Sequence, residues 1–202
     1  MSVYELKPRF QALLRPMTGA LHRAGVTANQ VTVAACVVSV ALGAVLAAMP
    51  APAGLFLLVP IWFFLRMAFN AVDGMLAREF GQASALGAYL NELTDVISDS
   101  ALYLPFALLP GSSPWLVGVI IALSIISEMA GVLGIMVGAS RRYDGPMGKS
   151  DRAFVFGLIG LLVGLGVPLG AAFDWIWAAV AALLVVTIAN RVRRGLAEPR
   201  RQ

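Results

Sequence analysis

The chain has 202 residues, 59% of them hydrophobic and 13% charged, with a mean hydropathy of +0.83. A soluble domain carries about 25% charged residues, so this composition excludes a water-soluble globular protein; at about 20 apolar residues per bilayer crossing it leaves room for roughly six spans and no separate soluble domain. The net charge of +4 is compatible in sign with nucleic acid, but thirteen of the fifteen Lys and Arg side chains fall in three segments flanking apolar runs, which is how a membrane protein encodes its orientation. Membrane lipids, and no nucleic acid, are the expected surroundings. One cysteine, Cys36, and one histidine, His22, exclude a disulfide framework, a cysteine-based zinc site and a histidine cluster.

Residues 1–28 mix Tyr4, Leu6, Phe10, Leu13, Leu14 and Leu21 with Lys7, Arg9, Arg15 and Arg23, the composition of an amphipathic interfacial segment on anionic headgroups. Pro8 and Pro16 predict that no long helix forms there. The first apolar run starts near Val31, too late for a cleavable signal peptide, so the segment is expected to be retained. Span one is expected at 29–49, closed by Pro50 and Pro52. Span two, 54–80, is long for one crossing and carries Arg66, Asp73 and Arg78, so its second half is expected to rise into a polar site. Span three, 84–109, holds Asn91, Glu92, Asp95 and Asp99 before turning apolar. Spans four (114–138, with an internal Glu128), five (153–167) and six (172–190) follow. The expected fold is all-α: a polytopic membrane protein with six transmembrane helices. It forms one domain over 1–202, with the interfacial segment at 1–28, the six-helix bundle at 29–190 and a basic tail at 191–202.

Besides the N-terminal segment, the loop at 139–152 carries Arg141, Arg142, Lys149 and Arg152, and the tail carries Arg191, Arg193, Arg194, Arg200 and Arg201; the connections at 50–53, 110–113 and 168–174 carry no Lys or Arg. The positive-inside rule then places both termini, and the turn between spans two and three, in the cytoplasm. Trp62 falls within a span, while Trp115, Trp175 and Trp177 are expected to form an aromatic belt at the opposite interface.

Ionisable residues inside spans are costly and face polar cavities or one another. Asn70, Asp73 and Ala77 share one helical face, and Gly87, Asn91, Asp95 and Asp99 recur every four residues on the next span. The short connection at 81–84 makes these spans antiparallel neighbours, so the two faces are expected to meet at the cytoplasmic end. Two carboxylates and two carboxamides together point to a hard cation such as Mg²⁺, which takes oxygen ligands. Gly74, Ala77 and Gly87 remove side-chain bulk, so that a ligand can approach the backbone. Arg66, one turn before Asn70, and Glu128 in span four each read either as a partner in an ion pair or as part of the cavity. The loop cations Arg141, Arg142, Lys149 and Arg152 satisfy the topology rule and also match phosphate oxygens. Gly157, Gly160 and Gly164 form a small-residue stripe for helix packing.

The segment NAVDGMLAREFGQASALGAYLNELTD, residues 70–95, resembles the signature of the CDP-alcohol phosphotransferases, DxxDGxxAR followed after eight or nine residues by GxxxDxxxD. The spacing matches throughout, and Asp73, Gly74, Ala77, Arg78, Gly87 and Asp95 are identical to the pattern. GVTANQVT, residues 25–32, is similar to the stretch that precedes the first span in many members. Asn70 and Asn91 depart from the pattern, standing at its first and third aspartates. The resemblance implies a divalent-metal-dependent enzyme, using Mg²⁺ or Mn²⁺, that displaces CMP from a CDP-linked lipid such as CDP-diacylglycerol with a small hydroxyl acceptor, and that works as a homodimer. It implies Asp73 and Asp95 as metal ligands with Asn70 and Asn91 beside them, and Asp95 as the base on the acceptor. Asp73, Gly74, Ala77, Arg78 and Gly87 are then CDP-binding, and Arg66, Arg141, Arg142, Lys149 and Arg152 are candidates for the acceptor or its phosphate. With two aspartates missing, weaker metal affinity is expected, and one metal and two stay open as alternatives. The alternatives are a member using another CDP-alcohol donor and a non-catalytic lipid or nucleotide binder on the same fold. A transporter would need an internal repeat, and none is evident.

Overall fold

The computed structural model describes residues 3–49 and 53–198, with side chains from Phe10 onward. Among the described residues the chain forms seven α-helices: α1 Val3–Arg23, α2 Ala28–Ala48, α3 Leu58–Glu79, α4 Ala85–Tyr103, α5 Pro114–Met136, α6 Lys149–Gly164 and α7 Ala172–Ala197. No strand forms among them. Among the described residues four segments are long and apolar enough to cross a bilayer unaided: Ala28–Ala48, Ala53–Glu79, Pro114–Met136 and Ala172–Ala197. α4 is interrupted by its acidic residues, and α6 has 16 residues, just under the usual range of about 17 to 25. Each packs by one face, α4 on α2 and α6 on α3, while α5 pairs with α7, and each keeps large apolar side chains exposed on the other face, Leu86, Leu93 and Ile97 on α4 and Phe154 and Leu158 on α6.

Local sequence explains where the helices start and stop. Thr27 caps α2: its hydroxyl accepts from the Gln30 amide at 3.2 Å, and the Gln30 side chain accepts from the Thr27 amide at 2.9 Å. Ser84 caps α4 by accepting from the Gly87 amide at 3.0 Å. The turn between α3 and α4 reverses at Gly81, whose φ of +67° is a left-handed conformation that a side chain would strain. Spans two and three each include a turn of 3₁₀ helix at the end away from this turn, Ala53–Leu57 and Leu104–Leu108. That is why the expected stretches are longer than the α-helices.

Gly157, Gly160 and Gly164 lie against Pro60, Val59 and Leu57, so the stripe does seat α6 on α3 and the 3₁₀ turn before it. Gly43 allows α2 to meet the α4 backbone: a Cβ there would lie 2.2 Å from the Ala101 carbonyl oxygen. An aromatic stack fills the core near the opposite end. Tyr103 lies on Phe156 at 3.9 Å between ring centres, Phe156 on Trp177 at 5.1 Å, and Phe106 meets Phe156 edge-on at 5.1 Å.

Three expectations are corrected. α1 runs continuously through Pro8 and Pro16; a proline removes one helical hydrogen bond and bends a helix, but α1 packs along α3 and its Arg15 forks Glu79 at 3.0 and 3.1 Å. Trp177 is not an interfacial anchor: it is 0% exposed, and its indole donates to Ser112 at 2.9 Å, whereas Trp115 and Trp175 are 72% and 81% exposed, as an aromatic belt requires. The basic tail does not begin at 191, because α7 continues to Ala197 and Arg191 is buried. The roles expected for Pro50, Pro52, Arg200 and Arg201, and for the side chains of Tyr4, Leu6, Lys7 and Arg9, fall outside the described residues.

Candidate active site

A cavity of about 840 Å³ opens where the N-terminal end of α2, the C-terminal end of α3 and the N-terminal half of α4 meet. α3 contributes Asn70, Asp73, Gly74, Ala77 and Arg78, and α4 contributes Gly87, Asn91 and Glu92. Asn70, Asp73 and Ala77 therefore share a face, as their spacing predicts. Gly74 leaves room for the Arg78 guanidinium, since a Cβ at 74 would lie 2.8 Å from it. Along α4 and α5 the same cavity becomes apolar, lined by Leu93, Val96, Ile125, Met129, Val132 and Leu133.

The four-residue repeat on α4 does not keep one face. Each step of four advances about 400° at 100° per residue, a drift of about 40°, so Gly87 and Asn91 reach the cavity while Asp95 and Asp99 turn away toward α3 and α6. Asp95 lies between two cations: Arg66 Nη2 donates to its Oδ1 at 3.0 Å, and Lys149 Nζ pairs with its Oδ2. Asp99 lies one turn deeper, between Arg66 and Arg152, with Arg152 Nη2 3.1 Å from Oδ2. Arg152 also reaches Glu128 at 2.9 Å, Arg191 Nη1 lies 3.3 Å from Glu128, and Arg141 reaches it at 3.6 Å. Burying these charges is tolerable because each faces an opposite charge. Of the two readings open for Arg66, the ion pair holds, with Asp95 and Asp99 as its partners.

The loop cations separate by role. Arg141 lines the cavity, forks Glu92 at 2.7 Å, and keeps a buried Nε–H without an acceptor among the described residues. Arg142 points away, to Asp144 at 2.8 Å and to Glu198, and Arg194 grips Asp144 at 2.7 Å. The α7 end thus straps the 139–148 loop, helped by Thr187, which accepts from the Met147 amide at 2.9 Å. Burial pushes the Asp144 carboxyl up, but the hydrogen bonds from Arg142 and Arg194 outweigh it and hold the group below the usual aspartate value.

Sequence reasoning missed several cavity residues. Asn29 and Thr32 of α2 line it, and Thr32 donates to Asp73 Oδ2 at 2.8 Å. Gln82 lines it too and accepts from the Ala28 amide at 2.7 Å, joining the two turns. The signal for Asn29 and Thr32 lay in the GVTANQVT segment, as polar residues three apart at a helix start; Gln82 carried none.

The donor set fits a hard divalent cation in chemical type, with Asp73, Asn70 and Asn91 presenting oxygen to one cavity. It is sparse in charge: among the described residues no group of three or more His, Cys, Asp or Glu could hold a metal.

Comparison with known proteins matches this arrangement. The chain is 47% identical over 193 residues to the inner membrane protein YnbA of Escherichia coli, covering 96% of each. It is 28% identical over 194 residues to the phosphatidylinositol phosphate synthase of Corynebacterium glutamicum, covering 90% of this chain and 83% of that one. Its fold resembles that of the Mycobacterium tuberculosis phosphatidylinositol phosphate synthase solved with CDP-DAG bound, with a TM-score of 0.75 at 23% identity over 91% of this chain and 94% of that one. The same enzyme, solved with manganese and citrate, gives a TM-score of 0.74 over 91% and 89%. The CDP-alcohol phosphatidyltransferase family profile matches residues 25–189. The chain is therefore an integral membrane transferase of phospholipid biosynthesis that belongs to the CDP-alcohol phosphatidyltransferase family.

Proposed function

We propose that the chain moves a phosphatidyl group from CDP-diacylglycerol to a small hydroxyl acceptor and releases CMP. The observation that carries this reading is a single cavity, polar at the ends of α2, α3 and α4 and apolar along α4 and α5. Such a cavity suits a ligand with a charged nucleotide head and acyl tails. A relative bears the name phosphatidylinositol phosphate synthase, and a solved structure of similar fold holds CDP-DAG.

In this reading Gly74, Ala77 and Gly87 give the head group close access to the backbone, and Arg78 pairs with its phosphates. Asp73, with the side-chain oxygens of Asn70 and Asn91, would hold a divalent cation, Mg²⁺ or Mn²⁺, which supplies charge neutralisation at the diphosphate when bound. Asp95 accepts the proton of the acceptor hydroxyl, with Arg66 and Lys149 orienting its two oxygens. Arg141 and Lys149 hold an anionic acceptor at the cavity mouth. Arg152 and Arg142 act through other residues, Arg152 through Asp99 and Glu128, Arg142 through the strapped loop. Six spans, with both termini and the site cytoplasmic, and a homodimeric assembly complete the proposal.

The test is CMP release by the purified protein in mild detergent from CDP-diacylglycerol with Mg²⁺ or Mn²⁺, across a panel of neutral and phosphorylated alcohols. Acceptor-dependent release is expected, and it should disappear in Asp73→Ala and Asp95→Asn. A second reading, a lipid-binding protein without turnover, is favoured by Asn70 and Asn91; it predicts retained CDP-diacylglycerol binding with no CMP from any acceptor.

A further inference from the structure

The carboxylates around the cavity differ in how firmly they are held. Glu128 is approached by Arg152, Arg191 and Arg141, and Asp99 by Arg66 and Arg152. Glu92 has Arg141 and, among the described residues, no second cation in an ion pair. Their pair is a fork that joins α4 to the 139–148 loop: Nη1 of Arg141 lies 2.7 Å from Oε1, and Nη2 donates to Oε2 at 2.7 Å. It is also wetter than the network beneath it. The Arg141 and Glu92 side chains are 22% and 30% exposed, against 0% and 10% for Arg152 and Glu128. An ion pair open to water adds little to stability and separates at small cost, whereas breaking a buried one strands a charge. The fork can open where the deeper network cannot.

Arg141 does not depend on Glu92 for its place. Its Nη1 donates to the Tyr143 hydroxyl at 3.0 Å, its guanidinium carbon lies 4.7 Å from the centre of the Tyr143 ring, and Glu128 attracts it from 3.6 Å. With Glu92 withdrawn, these contacts keep Arg141 at the cavity and release the donors that Glu92 held. A guanidinium fork fits two phosphate oxygens as it fits two carboxylate oxygens. We infer that Glu92 is a specificity-determining residue: its carboxylate occupies Arg141 while the acceptor is absent and yields it to the acceptor's anionic group. Glu92 then competes with every acceptor that brings negative charge to Arg141 and is indifferent to neutral ones. The affinity for an anionic acceptor is lowered by the fraction of molecules in which Arg141 stands free of the fork.

The inference rests on the reading of the cavity as an acceptor site, and its first measurement needs no turnover. Inorganic phosphate is titrated into the purified protein in mild detergent, and binding is read from the broadening of its phosphorus NMR line. The proteins compared are the wild type, Glu92→Gln, Arg141→Gln and the double variant. Gln keeps the length of Glu92 and can accept a hydrogen bond from Arg141, but it drops the charge. Phosphate affinity is expected to rise about fivefold or more in Glu92→Gln. That gain should vanish when residue 141 is also changed, because the double-mutant cycle isolates the coupling between the two side chains. In the CMP-release assay Glu92→Gln should lower KM for phosphorylated alcohols and leave KM for neutral alcohols and for CDP-diacylglycerol unchanged. A phosphate affinity that stays the same or falls in Glu92→Gln, a gain that persists without Arg141, or a KM change confined to CDP-diacylglycerol overturns the inference and leaves the transferase reading standing. An Arg141-dependent gain in phosphate affinity without CMP release from any acceptor upholds the inference and overturns the transferase reading.

Discussion

The two halves of α4 handle buried charge in opposite ways. Toward the α3–α4 turn, Asn91 with Asn70 and Asp73 of α3 faces an open cavity, and the carboxylate of Asp73 accepts from the Thr32 hydroxyl and forms no ion pair among the described residues. One turn farther in, Asp95 is held between Arg66 and Lys149, and one turn beyond it Asp99 is held between Arg66 and Arg152. The first arrangement keeps donors free for a ligand; the second ties α3, α4 and α6 together, with Asp95 at its outer edge as the proposed base. Polar residues inside a membrane protein thus divide into those that wait for a partner and those that already have one, and spacing along one helix does not tell them apart.

The comparison breaks most sharply at Arg152, which is 0% exposed and joins Asp99 to Glu128. Arg152→Ala leaves two buried carboxylates short of a cation and should destabilise the fold by about 3 to 5 kcal/mol, read as a fall in the thermal unfolding midpoint in detergent. On the open side, Asp73→Asn should leave that midpoint nearly unchanged and lower CMP release by on the order of 10² to 10³. A midpoint that falls as far as that of Arg152→Ala would place Asp73 in the structural set instead.

Packing around the two regions gives smaller effects. Gly43→Ala forces the α2 side chain into the Ala101 carbonyl of α4 and should cost about 1 to 3 kcal/mol, while Gly118→Ala, where a Cβ meets nothing within 4 Å, should be silent in the same unfolding measurement. The loop strap is the weakest link. Because Arg142 and Arg194 hold Asp144 below its ordinary pKa of 3.8, its contribution is present above that value and is lost as pH falls through the lowered one. Hydrogen exchange of residues 139–148 should therefore be unchanged from neutral pH down to about 5 once corrected for intrinsic rates. Asp144→Asn should speed it across that whole range.

Much of the site was legible in the chain because helical geometry is local. Asn70, Asp73 and Ala77 reach the cavity as their spacing predicts, and the turn at Gly81 brings α4 against them. The four-residue rhythm misled at Asp95 and Asp99, since its drift of about 40° per step shows only when the neighbouring helices that collect the turned side chains are known. Trp177 misled likewise. A tryptophan two residues after Trp175 has the sequence context of an interfacial anchor, but it lies on the side of α7 that meets Phe156.

By itself, the sequence determined that this is an all-α membrane protein with its basic segments set apart from its apolar runs, and that Asn70, Asp73, Asn91 and Asp95 recur at helical spacing within residues 70–95. Hydropathy, charge placement and short-range spacing are properties of neighbours along the chain. Only the tertiary structure decided which charges pair: Glu128 with Arg152 and Arg191, Asp95 with Lys149, Glu92 with Arg141, and Asp73 in no ion pair among the described residues. Ion pairing in a low-dielectric interior depends on distances of a few ångströms between residues up to 63 positions apart, and no local pattern encodes those distances.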